Sequence, residues 1–133
     1  MAWLLDTHIL IAVSKKRPGL RSKLAALSAD DILLSSVVLA EIEYGIAESA
    51  MPEHNRAVYA ALLQGFAVVD FDAAAARRYG AIRLDLERRG EIIGPNNLMI
   101  AAQALSLNAV LVTDNTGEFA RVHGLALENW LHA

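Results

Sequence analysis

Four acidic side chains in this sequence stand where a shared site could form. Asp6 and Asp114 each end a short apolar run, Glu41 lies just over one turn into a helical pattern, and Glu118 follows Asp114 by four residues. Carboxylates in one site repel each other unless a cation neutralises them, and all-oxygen ligands favour Mg²⁺ or Mn²⁺. Such an ion binds a phosphate oxygen and lowers the pKa of an attacking water. The pattern therefore indicates phosphodiester hydrolysis.

Each polar residue also has an ordinary structural interpretation. An aspartate after a strand commonly caps a helix or forms a turn, and a single glutamate on a helix is commonly solvated. Thr7 and Asn97 stand where helices could be capped, and Asn115 lies in a cluster of turn residues. Two aromatic residues, Tyr44 and Phe119, are predicted to pack in the core rather than to stack on bases.

The elements that must position these residues alternate along the chain. Short strands are predicted at Trp3–Leu5, Ile32–Leu34, Phe66–Val69, Ala109–Val112 and, more weakly, Leu125–Leu127. A first helix is predicted to begin at Ile9 and to be broken by Pro18-Gly19, and further helices are predicted at 20–27, 37–49, 52–64, 73–89 and 95–105. This alternation predicts an α/β fold with a parallel, three-layer sheet. Because ligands bind at the carboxyl edge of such a sheet, the strand ends at Asp6 and Asp114 would share the binding edge.

Composition limits the classes of function. A chain of 133 residues is long enough for one domain, and we expect residues 1–133 to form it. The absence of cysteine excludes disulfides, thiol catalysis and thiolate zinc sites. No apolar run approaches the roughly 18 residues of a membrane span, and the first residues do not form a signal-peptide pattern, so we expect a cytoplasmic protein without membrane contact.

Charge and motifs narrow the classes further. The net charge of −3 does not indicate a nucleic-acid binder, although basic residues cluster at 15–23 and 77–89. Either cluster is most simply a solvated helix face. The sequence contains neither a GxxxxGK[ST] phosphate loop, nor a GxGxxG after the first strand, nor a GxSxG elbow. Nucleotide binding and serine-hydrolase chemistry are therefore disfavoured.

Four segments resemble the signatures of PIN-domain ribonucleases, and most closely those of VapC-type toxins of bacterial toxin–antitoxin pairs. The segments are LLDTH from Leu4, SVVLAEIEYG from Ser36, GPNNLMIAA from Gly94 and LVTDNTGEF from Leu111. Single signatures are weak, but four in the family order are specific. The resemblance covers nearly the whole chain, including its end at Leu125 to Trp130.

This resemblance implies a compact α/β/α sandwich with a mainly parallel central sheet, which cuts RNA with magnesium held by acidic residues. Asp6 and Glu41 match the first two acids, and either Asp114 or Glu118 supplies the fourth. Two polar neighbours in that loop also match the family: Thr113 and Asn115. The resemblance further implies a homodimer and a cognate antitoxin that places a basic side chain in the acidic site. It suggests structured RNA such as tRNA as the substrate.

The third acid of the family pattern is replaced here by Asn97. An asparagine keeps a carbonyl oxygen that can bind a metal, but it has no negative charge and cannot act as a base. Fewer charged ligands weaken the binding of a divalent ion, so we expect low or absent activity. Either an engineered loss of toxicity or a natural variant would account for the residue.

Two further interpretations place acidic residues in the same positions. A PIN-fold binding module without catalysis would use the acids as a socket for an antitoxin arginine. A receiver-like phosphoacceptor domain expects an acidic pair after the first strand, whereas Asp6 stands alone there and the nearest pair is Asp30-Asp31. The receiver interpretation is therefore the weakest of the three.

Overall fold

The computed structural model describes residues 1–131, in which short strands and helices alternate as the sequence predicts. The strands are β1 (Trp3–Leu5), β2 (Ile32–Ser35), β3 (Ala67–Val69), β4 (Val110–Val112) and β5 (Leu127–Glu128). The helices are α1 (Thr7–Ser14), α2 (Leu20–Ala25), α3 (Ser36–Glu48), α4 (Pro52–Leu63), α5 (Ala73–Arg89), α6 (Pro95–Ser106) and α7 (Thr116–Phe119). A 3₁₀ turn, Ala29–Asp31, precedes β2.

The five strands form one sheet in the order β3-β2-β1-β4-β5, and every neighbouring pair is parallel. The chain first moves outward from β1 to β2 and β3, then crosses back to place β4 on the other side of β1. Because parallel crossovers are right-handed, this reversal puts the helices before β3 and those after it on opposite faces of the sheet. The predicted three-layer α/β/α sandwich is confirmed.

The core lies on both faces of the inner strands. Leu4, Leu5 and all of β4 are buried, which confirms that the run ending at Val112 is an interior strand. On one face β1 and β2 pack under α1 and α3, and on the other α6 packs against β4 and carries α5 outside it. In residues 1–131, no helix is both long and apolar enough to cross a membrane.

The structure corrects the predicted elements in three notable places. Helix α1 begins at Thr7 rather than Ile9, because the Asp6 side chain accepts a hydrogen bond from the Thr7 N–H and caps the helix. A short helix, α7, forms inside the loop that was predicted as a turn. The last strand begins at Leu127 rather than Leu125, since Gly124 adopts φ 81° and turns the chain just before it.

Candidate functional site

The candidate site lies at the carboxyl edge of the sheet, between β1 and β4. These adjacent strands are where the chain direction across the sheet reverses, and their helices leave toward opposite faces. The divergence opens a crevice at the strand ends, which is the usual ligand site of open α/β sheets. Asp6 follows β1 directly and Thr113 follows β4 directly, so both enter this crevice.

Asp6 is the most enclosed acid of the site, with 6% of its surface exposed. One carboxylate oxygen accepts the Thr7 N–H at 2.8 Å, and the other accepts the hydroxyl of buried Thr113 at 2.7 Å. A buried carboxylate needs such donors because removal from water is costly for the charged form. Each oxygen still has a second lone pair, so Asp6 is fixed in position yet keeps acceptor capacity.

Glu41 reaches the same place from α3. Its Oε1 accepts the Thr7 hydroxyl at 2.9 Å, so Thr7 bonds both acids, one through its N–H and the other through its side chain. The interpretation of Thr7 as a helix cap is wrong, because Asp6 is the cap and Thr7 is the first helical residue. Helix α3 is itself capped by the buried hydroxyl of Ser35, which fixes where Glu41 projects.

Glu118 is held by the turn before α6 and by the loop before α7. Its Oε1 accepts the Gly94 N–H at 2.7 Å and Asn97 Nδ2 at 3.1 Å, and its Oε2 accepts Asn115 Nδ2 at 3.1 Å. The Gly94 N–H, followed by the two amides and the charge of Arg121, keeps the pKa of the Glu118 carboxyl below its ordinary value, against a smaller opposing effect of burial. Glu118 lies in the short helix α7, which brings its carboxylate to the turn before α6.

These contacts join into one continuous chain of hydrogen bonds. The Thr113 hydroxyl donates to Asp6 and accepts the Asn115 N–H at 3.0 Å, which connects the Asp6 half of the site to the Glu118 half. The structure thus links Glu41 to Asn97 by way of five intervening residues: Thr7, Asp6, Thr113, Asn115 and Glu118. Asn115 and Asn97 are therefore part of the site's hydrogen-bond network as well as elements of a turn and a helix start.

Asp114 takes a different direction from its neighbours in the loop. It is exposed, and its Oδ1 accepts Asn129 Nδ2 at 3.1 Å, beside the end of β5. It borders a depression that also contains His8, Lys15 and Arg17. Of the two candidates for the last acid, only Glu118 takes part in the hydrogen-bond chain described above.

Gln103 is a positioning residue that the sequence interpretation missed. Its side chain is buried, with 1% exposed; it accepts the Ser35 hydroxyl and donates to the Val69 carbonyl at 2.9 Å. It therefore ties α6 to the ends of β2 and β3. The available signal was one glutamine inside the otherwise apolar run of the α6 segment.

The two aromatic residues of the family-like segments have different surroundings. Phe119 is fully buried, which confirms its predicted place in the core. Tyr44 is 69% exposed, so the prediction that it packs in the core is wrong. It lies on the face of α3 that carries Glu41, and this face borders an open groove reaching Thr7 and Asn96.

The donor set suits a hard divalent cation in chemical type, since carboxylates and an amide carbonyl are all oxygen ligands. Within residues 1–131, however, no three His, Cys, Asp or Glu side chains lie close enough together to hold a metal ion by themselves. Asn97 occupies the place at which one more carboxylate would face Glu118. The oxygen atoms of the candidate site are thus of the type that such an ion binds, and position 97 adds no charge to them.

A family profile of the PIN domain matches residues 3–125 of the sequence. The chain belongs to the PIN-domain family. A ribonuclease VapC2 of Rickettsia felis is 40% identical over 98% of both chains. A tRNA(fMet)-specific endonuclease VapC of Shigella flexneri is 42% identical over the same shares. The crystal structure of VapBC2 from Rickettsia felis bound to promoter DNA superposes with a TM-score of 0.92, at 39% identity over 98% of this chain and 99% of that one.

PIN-domain membership indicates which chemistry to consider at the crevice. Ribonucleases of this family generally depend on a divalent metal, and the acids brought together here are oxygen ligands at the expected edge of the sheet. The family match extends from β1 to residue 125 and therefore includes every residue of the hydrogen-bonded site.

Proposed function

We propose that this chain is a VapC-like toxin: a metal-dependent endoribonuclease with an antitoxin partner, weakened by Asn97. The observation that carries the proposal is the continuous chain of hydrogen bonds from Glu41 through Asp6 to Glu118 and Asn97. These bonds join Asp6, Glu41 and Glu118, and the third position of the family pattern is taken by the uncharged Asn97. The tRNA-specific relative makes tRNA the first substrate to test.

Asp6, Glu41 and the carbonyl oxygen of Asn97 are the proposed metal ligands, and Mg²⁺ or Mn²⁺ is the proposed ion. When bound, such an ion neutralises a phosphate oxygen and lowers the pKa of a water. Thr7 and Thr113 hold Asp6 in one orientation, and Thr7 also holds Glu41. The chain's own contribution is thus to fix the acids before substrate arrives.

Glu118, rather than Asp114, is the proposed last acid. Its low pKa keeps it ionised at neutral pH, and its three donors orient both of its oxygens. Asp114 instead bonds to Asn129 at the rim. We therefore expect Glu118→Gln to reduce cleavage far more than Asp114→Asn, once cleavage can be measured.

The decisive experiment restores the missing charge. Asn97→Asp, made by cell-free synthesis to avoid toxicity, should increase cleavage of labelled tRNA by on the order of a hundredfold or more over the parent chain, and EDTA should abolish the gain. Asp6→Asn in the same background should remove it. Asn96→Asp adds the same charge one residue earlier in α6 and serves as the matched control. If Asn97→Asp cleaved no faster than Asn96→Asp, position 97 would not limit catalysis.

A second candidate function is a binding module that has lost catalysis. Asn97 and the missing third carboxylate favour it, because an antitoxin arginine could still pair with Asp6 and Glu41 in the absence of metal. It predicts tight antitoxin binding in EDTA and no cleavage in the Asn97→Asp variant. A homodimer is also proposed, and analytical ultracentrifugation of the chain with and without antitoxin tests it.

A further inference from the structure

Positive charge is concentrated in one segment next to the acidic site. From Thr7 to Ser28 the chain contains five basic residues and no acidic one. The remainder of the chain contains seven basic and fifteen acidic residues. The five are called the basic segment here: Lys15, Lys16, Arg17, Arg21 and Lys23. The net charge of −3 is therefore the sum of a strongly positive segment and a strongly negative remainder of the chain.

The basic segment is exposed and is not engaged in ion pairs. All five side chains are exposed, and the ion pairs within residues 1–131 are made by arginines of other elements: Arg56, Arg83 and Arg89. On α5, by contrast, Arg83 and Arg89 are paired with acids of the same region. The charges of the basic segment therefore contribute little to folding through pairing and remain available to an anionic ligand.

Lys16 holds its position at a conformational cost. It has φ 56°, in the left-handed region, and the N–H groups of Lys16 and Arg17 bond back to Val13 and Ala12 to close the end of α1. All other left-handed residues of the described chain are glycines or Asn108. Lysine is unfavourable in this conformation, whereas glycine or asparagine would suit it. The backbone therefore gives no reason for a lysine at this position, whereas its exposed ammonium group is free to contact a ligand.

The segment lies within reach of a substrate in the acidic site. Helix α1 begins beside Asp6 and has eight residues, so Lys15 stands roughly 12 Å along it. Lys15 and Arg17 border one depression together with His8 and Asp114, at the rim of the site. An extended polyanion that enters the crevice can therefore lie over both Lys15 and Arg17.

We propose that the basic segment binds the phosphates of the RNA substrate and directs the strand toward Asp6 and Glu41. The inference rests on the proposed function, since it takes RNA as the substrate. An acidic site repels a polyanion, so the enzyme needs cations nearby that hold the strand without neutralising the acids. The contacts are to phosphates, and the segment therefore contributes affinity without base specificity.

The first test measures binding alone. A fluorescein-labelled oligouridylate is titrated with the parent chain in EDTA over a range of salt, where no cleavage interferes. Changing Lys15, Lys16 and Arg17 together to Gln should lower the slope of log affinity against log salt by about 2 and weaken binding roughly tenfold or more. The matched control changes Arg77, Arg78 and Arg88 of α5 to Gln and removes equal charge. An equal loss in both variants, or none in the first, would overturn the proposal.

The second test separates binding from folding at one residue. Lys16→Gly should keep or raise the melting temperature, because glycine suits the left-handed conformation, while the salt slope falls by about 0.7 for one lost phosphate contact. Asn108→Gly changes the other left-handed side chain at a helix end and should leave the slope unchanged. A Lys16→Gly chain with unaltered RNA binding would show that this lysine does not serve the substrate.

An acidic antitoxin segment is the competing occupant. If the triple change weakened antitoxin binding and left oligouridylate binding intact, the surface would belong to the partner and the proposal would be wrong. Failure of Asn97→Asp to cleave RNA would count against the nuclease function and not against this binding result. Conversely, an active Asn97→Asp chain whose RNA affinity ignores the basic segment would overturn only the present inference.

Discussion

At the scale of single residues, Asn97 is a hydrogen-bond donor to Glu118, a role that an ionised carboxylate at this position could not fill. Its Nδ2 donates to Glu118 at 3.1 Å, so the amide stabilises the ionised carboxylate that it faces. Two carboxylates at this separation would repel each other and require a cation between them. The asparagine therefore makes a hydrogen bond to Glu118 that needs no metal.

Asn97→Asp should consequently make stability depend on metal. In EDTA at neutral pH we expect a loss of about 1–3 kcal/mol, since a hydrogen bond becomes a repulsion between like charges. Mg²⁺ or Mn²⁺ should restore the loss by binding the folded chain. Thermal unfolding with and without the ion measures both effects. Asn96→Asp carries the same charge on the same helix, and equal stability of the two variants in EDTA would contradict this account.

Glu118 should make the folded chain sensitive to acid. Its pKa is lowered in the folded state, chiefly by the Gly94 N–H, so its ionised form stabilises the fold above the ordinary carboxyl value of 4.5. This contribution disappears as the pH falls through the lowered pKa. Glu118→Gln should cost about 1 kcal/mol at neutral pH and flatten the stability profile below about pH 5.

Urea unfolding at several pH values checks the Glu118 prediction. The exposed glutamate Glu48 on α3 provides the control, because Glu48→Gln removes the same charge away from these donors. An equal flattening in both variants would show that general charge, and not the Gly94 contact, causes the acid sensitivity.

Residue types alone predicted which side chains meet, but not how they bond. Asp6 and Glu41 could be chosen because parallel strands and the helices after them share an edge. The choice between Asp114 and Glu118 depended on the direction in which each side chain projects after β4, one from a loop and the other from α7, and alternation along a strand gives no guide there. The prediction that Tyr44 packs in the core was wrong because hydrophobic periodicity identifies one face of a helix. It does not show whether that face contacts the core or an open groove.

At the scale of elements, Gln103 connects three parts of the framework that carries Glu41. It accepts from Ser35, which caps α3, and it donates to the last carbonyl of β3 at Val69. Because these groups are buried among apolar side chains, each needs its partner. The start of α3, and with it the direction of Glu41, thus depends on a side chain from α6.

Gln103→Leu should therefore destabilise the fold by about 2–4 kcal/mol, since the buried Ser35 O–H loses its acceptor and the Val69 carbonyl loses its side-chain donor. In the Asn97→Asp background it should also reduce RNA cleavage, because α3 loses its fixed start. Urea unfolding and cleavage assays measure the two effects. Gln64→Leu makes the same chemical change at an exposed position, and comparable destabilisation by both would contradict the role of the buried bonds.

Element boundaries were predictable where one local signal dominated. Gly90 ends α5 in the left-handed conformation, and Pro95 opens α6. The last strand was displaced by two residues because its position is set by pairing with β4, with Leu111 opposite Leu127. A two-residue strand has too little sequence of its own to show that register.

At the scale of the whole molecule, one apolar cluster joins the first strand to the end of the chain. It includes Leu4 and Leu5 of β1, the helices on both faces and Trp130, which is 8% exposed. The site is built from segments that begin at residue 6 and end at residue 118, so it exists only when most of this cluster has formed. We therefore expect the crevice to form in the same cooperative transition as the rest of the fold.

This arrangement predicts a single cooperative unfolding transition, as expected of one domain in residues 1–133. Trp3 lies on the central strand and Trp130 near the end of the chain, so the two fluorophores report distant parts of the sequence. In Trp130→Phe and Trp3→Phe chains, the fluorescence midpoint in urea should coincide with the midpoint from far-UV circular dichroism of the same variant. The total stability should be about 7–20 kcal/mol, by the usual range per residue. A Trp130 fluorescence signal that is lost at lower urea than the helical signal would instead show that the last strand unfolds separately. The segment with Asn115 and Glu118 precedes that strand, so it would then be the first part of the site to unfold.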